Sequence, residues 1–186
     1  MSDEIIVKQC SPTLAGIKTG NLFMVKFNSK EELKSELRKL NRRFAAKGLR
    51  VLPVRYGENR VLIYFYRPNY LKRDLEDQET SKLLCEMGYD CSSPEQYIVE
   101  LIRKFQGTTE FPHEIGLFLG YPPEDVRGFI ENKADNYKCV GTWKVYGDEN
   151  KAKKRFSQFK KCSDIYYKQW SQGKSVDRLT VPVKAV

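Results

Sequence analysis

The run Val61-Leu62-Ile63-Tyr64-Phe65-Tyr66 is apolar at every position, on both sides of the two-residue repeat of a strand. A strand written that way needs cover on both faces, so it belongs at the centre of a sheet packed above and below. Gly57-Glu58-Asn59 joins it to Arg50–Tyr56 as a β-hairpin. Pro53 has no amide proton to give a ladder, which predicts an edge or a bulge for that partner strand. Leu22 to Phe27 predicts a further buried strand, and Cys139 to Tyr146 a last one.

Helical spacing accounts for most of the rest. Ser29-Lys30-Glu31-Glu32 has the form of a capping box, and Leu33, Leu37, Leu40 and Phe44 then recur as one apolar stripe with Gly48 as a stop. Ser11 is expected to cap a short helix running to Gly20, with Pro12 in its first turn. Leu71 and Leu75 predict one short helix, and Leu83, Leu84 and Met87 another, closed by Gly88. Ser93-Pro94-Glu95-Gln96 predicts the start of a helix burying Tyr97, Ile98, Leu101, Ile102 and Phe105. Residues 112–119 and 123–131 predict two short helices about a Gly-Tyr-Pro turn. A final helix over 148–172 turns Ala152, Phe156, Phe159, Tyr166 and Trp170 inward. The fold class expected is α+β, a small mixed or antiparallel sheet of about four strands covered by several helices. No repeat, low-complexity tract or linker interrupts the chain, so residues 1–186 are expected to form a single domain.

Certain stretches carry more than periodicity: Cys10-Ser11-Pro12-Thr13-Leu14-Ala15-Gly16, Tyr66-Arg67-Pro68, the sequence from Phe111 to Val126, and Trp143-Lys144-Val145-Tyr146-Gly147-Asp148. Through them nearly the whole chain resembles an uncharacterised bacterial family, a domain of unknown function. The resemblance implies a bacterial cytoplasmic protein. It implies no activity, substrate or cofactor.

Composition bounds the functional classes. Forty per cent hydrophobic residues over 186 positions suffice for a core without metal or disulfide. No apolar run is long enough to span a membrane. Met1-Ser2-Asp3-Glu4 does not have the form of a secretory leader, and five scattered cysteines without a C-x-x-C pair are expected to be reduced thiols in the cytoplasm. The net charge of +9 favours a polyanionic partner. It is concentrated in residues 30–50 and 148–174, each with eight Lys/Arg against three Asp/Glu.

Four candidate chemistries follow. Gly116, Gly120, Tyr121, Val126 and Phe129 approximate the spacing of a helix-turn-helix. Its second helix, however, would offer phosphate Glu124 and Asp125, leaving only Arg127 to read a base, which argues against sequence-specific DNA binding. Cys10, placed before a helix N-cap, would be an activated thiol, with His113 (the only histidine) as base and Asp148 or Asn136 to orient it. Cys10, His113, Glu114 and Cys139 are the residues a metal site would draw on, but no pair has helical ligand spacing. No glycine-rich phosphate loop is present, and the sequence names no cofactor. Lys154, Lys161 and Lys168 recur every seven residues, a basic ridge opposite the inward aromatics. A non-enzymatic binding or regulatory module, with a protein or anionic macromolecule as partner, is the leading expectation. A thiol enzyme on Cys10 and His113 is the alternative.

Overall fold

The computed structural model describes residues 1–90, 92, 96–107 and 110–182. They fall into two compact units, one of Met1–Asn69 with Phe159–Val186 and one of Tyr70–Gln158.

The first unit is built on strands β1 (Gly20–Lys26), β2 (Arg50–Tyr56) and β3 (Arg60–Tyr66), antiparallel in the order β1-β3-β2. Phe23 lies opposite Ile63 and Val51 opposite Phe65. β3 is therefore central, as its two-sided apolar sequence requires. The register slips between Pro53 and Arg55, so the proline sits at a bulge on an edge strand.

One face of the sheet carries Phe23, Val25, Val61, Ile63 and Phe65 into the core. Leu33, Leu37, Leu40 and Phe44 of α2 (Lys30–Ala45) and Ile6, Val7, Cys10 and Leu14 of α1 (Asp3–Leu14) join it there. On the opposite face Leu62, Tyr64 and Tyr66 are buried as well. The rings of Tyr64 and Tyr66 stack at 4.5 Å. A Cβ at Gly20 would stand 2.6 Å from the Tyr64 ring, so only glycine fits beside it.

α1 differs from expectation. It starts at Asp3, with Ser2 Oγ accepting the Ile5 amide, and Ser11 is an interior residue whose hydroxyl donates to the Val7 carbonyl. Asp3 and Glu4 suit the positive end of the helix dipole, and Ile6, Val7, Cys10 and Leu14 share one buried side. Pro12 falls in the last turns, where its missing amide costs one helical bond. Arg67, 1% exposed, closes this end: its guanidinium donates to the carbonyls of Thr13, Leu14 and Val181 at 2.7–2.8 Å. A cation on the last carbonyls of a helix satisfies orphan acceptors and complements the dipole. At the other end, Arg43 of α2 binds both Asp3 and Asp177, tying the start of α1 to α9 (Val176–Leu179).

The second unit holds α4 (Gln78–Glu86), α5 (Tyr97–Gly107), α6 (Ile115–Phe118), α7 (Pro123–Glu131) and a minimal ladder of β4 (Cys139–Val140) with β5 (Lys144–Val145). α3 (Pro68–Leu75) leads into it. Residues 139–146, expected as one strand, fold back on themselves about Gly141. A Cβ there would lie 2.2 Å from the Phe156 ring, so the turn sits directly under that side chain. The expected cap at Ser93-Pro94-Glu95 lies outside the described residues. α8 (Glu149–Ser171) begins in the second unit and ends in the first. Asp148 is its cap, accepting the Lys151 amide at 3.0 Å.

Candidate functional site

The second unit contains a cavity of about 170 Å³. Its lining includes Phe111, His113, Gly116, Tyr121, Phe129 and Trp143, with Lys144 and Asp125 as its charged groups. Two stretches distant in sequence make it, 111–129 and 143–144, and Asp125 holds them together. Asp125 lies in the first turn of α7, where the helix dipole favours a carboxylate. Its Oδ2 accepts the Trp143 indole N–H at 2.6 Å, and its Oδ1 accepts the Tyr146 and Gly147 amides, each at 2.7 Å. The carboxylate is 3% exposed and fully engaged, so its charge is spent on structure.

Close packing on α6 and α7 is possible because two residues lack side chains. A Cβ at Gly116 would come within 2.7 Å of Val126, and one at Gly128 within 2.4 Å of the Tyr146 ring. With those positions bare, Tyr121 stacks on Trp143 at 4.7 Å and Phe156 meets the indole edge-on at 4.5 Å. His113 stands at the rim, its ring 5.9 Å from that of Phe111 and 5.0 Å from that of Phe129. Burial pushes the Tyr121 phenol up to about 12, so it stays protonated.

Lys144 is held from behind. Its ammonium donates to the Ala134 carbonyl at 2.7 Å and lies 4.6 Å from the centre of the Tyr137 ring. Lys133, Ala134 and Asn136 all have positive φ. Each left-handed non-glycine costs about 1–3 kcal/mol, so the surrounding contacts must hold the loop in place. Lys144 has no carboxylate partner among the described residues.

The residues singled out in the sequence are placed as follows. Cys10 lies in the middle of α1, sealed in the core of the first unit, and burial drives its thiol pKa far up. The helix N-terminus that was to activate it is not there, so it has the surroundings of an inert core thiol. His113 belongs to the second unit, and its side chain has no hydrogen-bond partner among the described residues. Asp148 caps α8 instead of orienting His113. Cys10, Cys139 and Cys162 are free thiols whereas Cys85 is disulfide-bonded, which corrects the expectation of reduced cysteines throughout.

The helix-turn-helix geometry is absorbed by packing: Asp125 faces inward, and Arg127 pairs with Glu86 at 2.8 Å and Glu131 at 3.6 Å. No cluster of three or more His, Cys, Asp or Glu able to hold a metal occurs among the described residues. Lys154, Lys161 and Lys168 are exposed on α8 and make no ion pair among the described residues, whereas Lys153 is paired with Glu149. Of the cavity's lining, the sequence had offered His113, Gly116, Tyr121, Val126 and Phe129 for other roles and Phe111, Trp143 and Lys144 only among the residues that carry the family resemblance. Asp125 it had placed facing phosphate.

Fold and cavity together define an α+β protein with a small antiparallel sheet and an aromatic-walled cavity in its helical second unit. The chain belongs to the family described as a protein of unknown function (DUF3793), whose model matches residues 6–180. No curated protein and no solved structure matches the chain.

Proposed function

We propose that the protein is a non-enzymatic binding module and that the cavity of the second unit is its ligand site. One observation carries this reading. Aromatic rings surround a space of about 170 Å³, slightly larger than the roughly 150 Å³ apolar cavity that admits a benzene-sized ring. Apolar walls with a few placed polar groups are the usual make-up of a small-ligand site. Two of the groups singled out for catalysis or charge are engaged elsewhere: Asp125 is consumed by three N–H donors and Cys10 is sealed in the first unit. Titration with toluene, followed at the Trp143 indole N–H by NMR, tests the reading. A saturable shift of that resonance is expected, with the Trp170 indole unmoved. No shift up to the solubility limit would contradict it.

A second contact is favoured by the free lysines of α8. Lys154, Lys161 and Lys168 are exposed and make no ion pair among the described residues. They suit an anionic macromolecule met by charge alone. Retention on immobilised heparin should fall with salt and should drop in the K154E/K161E/K168E variant. Retention independent of salt would contradict this contact.

The bacterial cytoplasmic setting implied by the resemblance belongs to the same proposal. Among the described residues no helix is long and apolar enough to cross a membrane, though a disulfide such as that of Cys85 is uncommon in a reducing compartment. Recovery in the cytoplasmic fraction of cells is expected, and recovery with the envelope would contradict it.

A further inference from the structure

We infer that the cavity of the second unit takes a single-ring aromatic carboxylic acid, its ring between His113, Phe129 and Trp143 and its carboxylate on Lys144. The inference rests on reading this cavity as a ligand site, and it names the chemistry. Three observations carry it.

The volume, about 170 Å³, holds one six-membered ring with a small substituent. The walls present ring faces and edges in several orientations: His113 is tilted 59° to Phe129, and the Trp143 indole is already paired with Tyr121 and Phe156. Such a set receives a further ring by edge-to-face and offset contacts, which add to plain apolar burial.

The charge balance decides the sign of the substituent. Among the described residues Asp125 is the only carboxylate in the lining, and its oxygens already accept three N–H bonds. It offers a ligand cation little. Lys144 lines the same cavity, its ammonium donating to the Ala134 carbonyl and lying over the Tyr137 ring, with no carboxylate partner among the described residues. An ammonium has three donors, so Lys144 keeps capacity for an anion. An aromatic cage alone would suit a quaternary ammonium ligand, but a lysine in the wall opposes one.

Calorimetric titration of the full chain with benzoate, toluene, benzylamine and cyclohexanecarboxylate separates the possibilities. Benzoate is expected to bind with a Kd on the order of 0.1–1 mM, as befits a ligand of nine heavy atoms. Toluene, which lacks the charge, and cyclohexanecarboxylate, which lacks the ring, should each bind roughly fivefold or more weakly. Lys144→Met should bring benzoate down roughly fivefold, toward the level of toluene, while the Trp143 indole N–H resonance keeps its folded position, which shows that the variant's cavity wall is intact. Benzylamine binding as tightly as benzoate, or a wild-type preference for toluene over benzoate, would overturn the inference yet keep the cavity as a ligand site. Failure of all four compounds to bind would overturn both.

Discussion

Asp125 on α7 accepts the Trp143 indole N–H at 2.6 Å across eighteen residues of chain. This bond, with two backbone amides on the other carboxylate oxygen, closes the cavity wall. A buried carboxylate with three donors holds them more firmly than a neutral group could. Asp125→Ala should therefore destabilise the protein by roughly 3 kcal/mol, leaving three N–H groups unpaired. Trp143→Phe removes one donor and should cost about 1–2 kcal/mol. Urea unfolding followed by circular dichroism measures both; equal stability of Asp125→Ala and wild type would contradict the assignment.

Arg67 plays a comparable part in the first unit. Its charge is met by carbonyls at the end of α1 and at Val181. Arg67→Met should cost roughly 3–5 kcal/mol, because it strands several buried acceptors at once. Arg67→Lys should recover only part of this, since an ammonium does not reproduce the planar fork. Full recovery by lysine would show that charge, not geometry, is what the site requires.

Lys18 gives a pH dependence of definite sign. Burial lowers its ammonium from 10.5 to about 8. Between about pH 8 and 10.5 the folded chain has shed this proton while the unfolded chain still holds it, so the unfolded state binds more protons and stability rises with pH. Below pH 8 both states are protonated and the dependence ends. The stability of wild type relative to Lys18→Met should therefore grow by an amount on the order of 2 kcal/mol from pH 8 to 10.5. A gap that stays constant or narrows over that range would contradict the burial of this group.

Cys10 should be inert while the protein is folded. Its thiol is fully buried, and burial raises its pKa; Cys162 is half-buried and raised to about 11, and Cys139 is partly exposed. Iodoacetamide at pH 7.5 should modify Cys139 and Cys162 before Cys10, which should react only on unfolding. Fast modification of Cys10 below neutral pH would revive the thiol-enzyme alternative.

The sheet was legible because its signals are local. The two-sided apolar run of β3, the bulge at Pro53 and the Ser29 cap each depend on a few neighbouring residues. α1 was misplaced because Ser11-Pro12 imitates a start, while the true start rests on Ser2, Asp3 and Glu4 and on a stripe whose interior includes Cys10. The cavity was not legible as a site. Trp143, Lys144 and Asp125 fall in stretches that carry the family resemblance but spell no chemical motif, and their meeting depends on two glycines, Gly116 and Gly128, whose missing side chains matter only once α6, α7 and the segment after β4 are packed. Asp125 had looked like a phosphate-repelling residue on a helix end. Only its partners show that it points inward.

The claim that this cavity is a ligand site is tested most directly by exposing crystals of the protein to bromobenzene and locating the bromine by its anomalous scattering. The account predicts one ordered ring among His113, Phe129, Gly116 and Trp143, with Asp125 still bonded to the indole. An empty cavity at saturating bromobenzene, or bromine found only elsewhere on the protein, would contradict it.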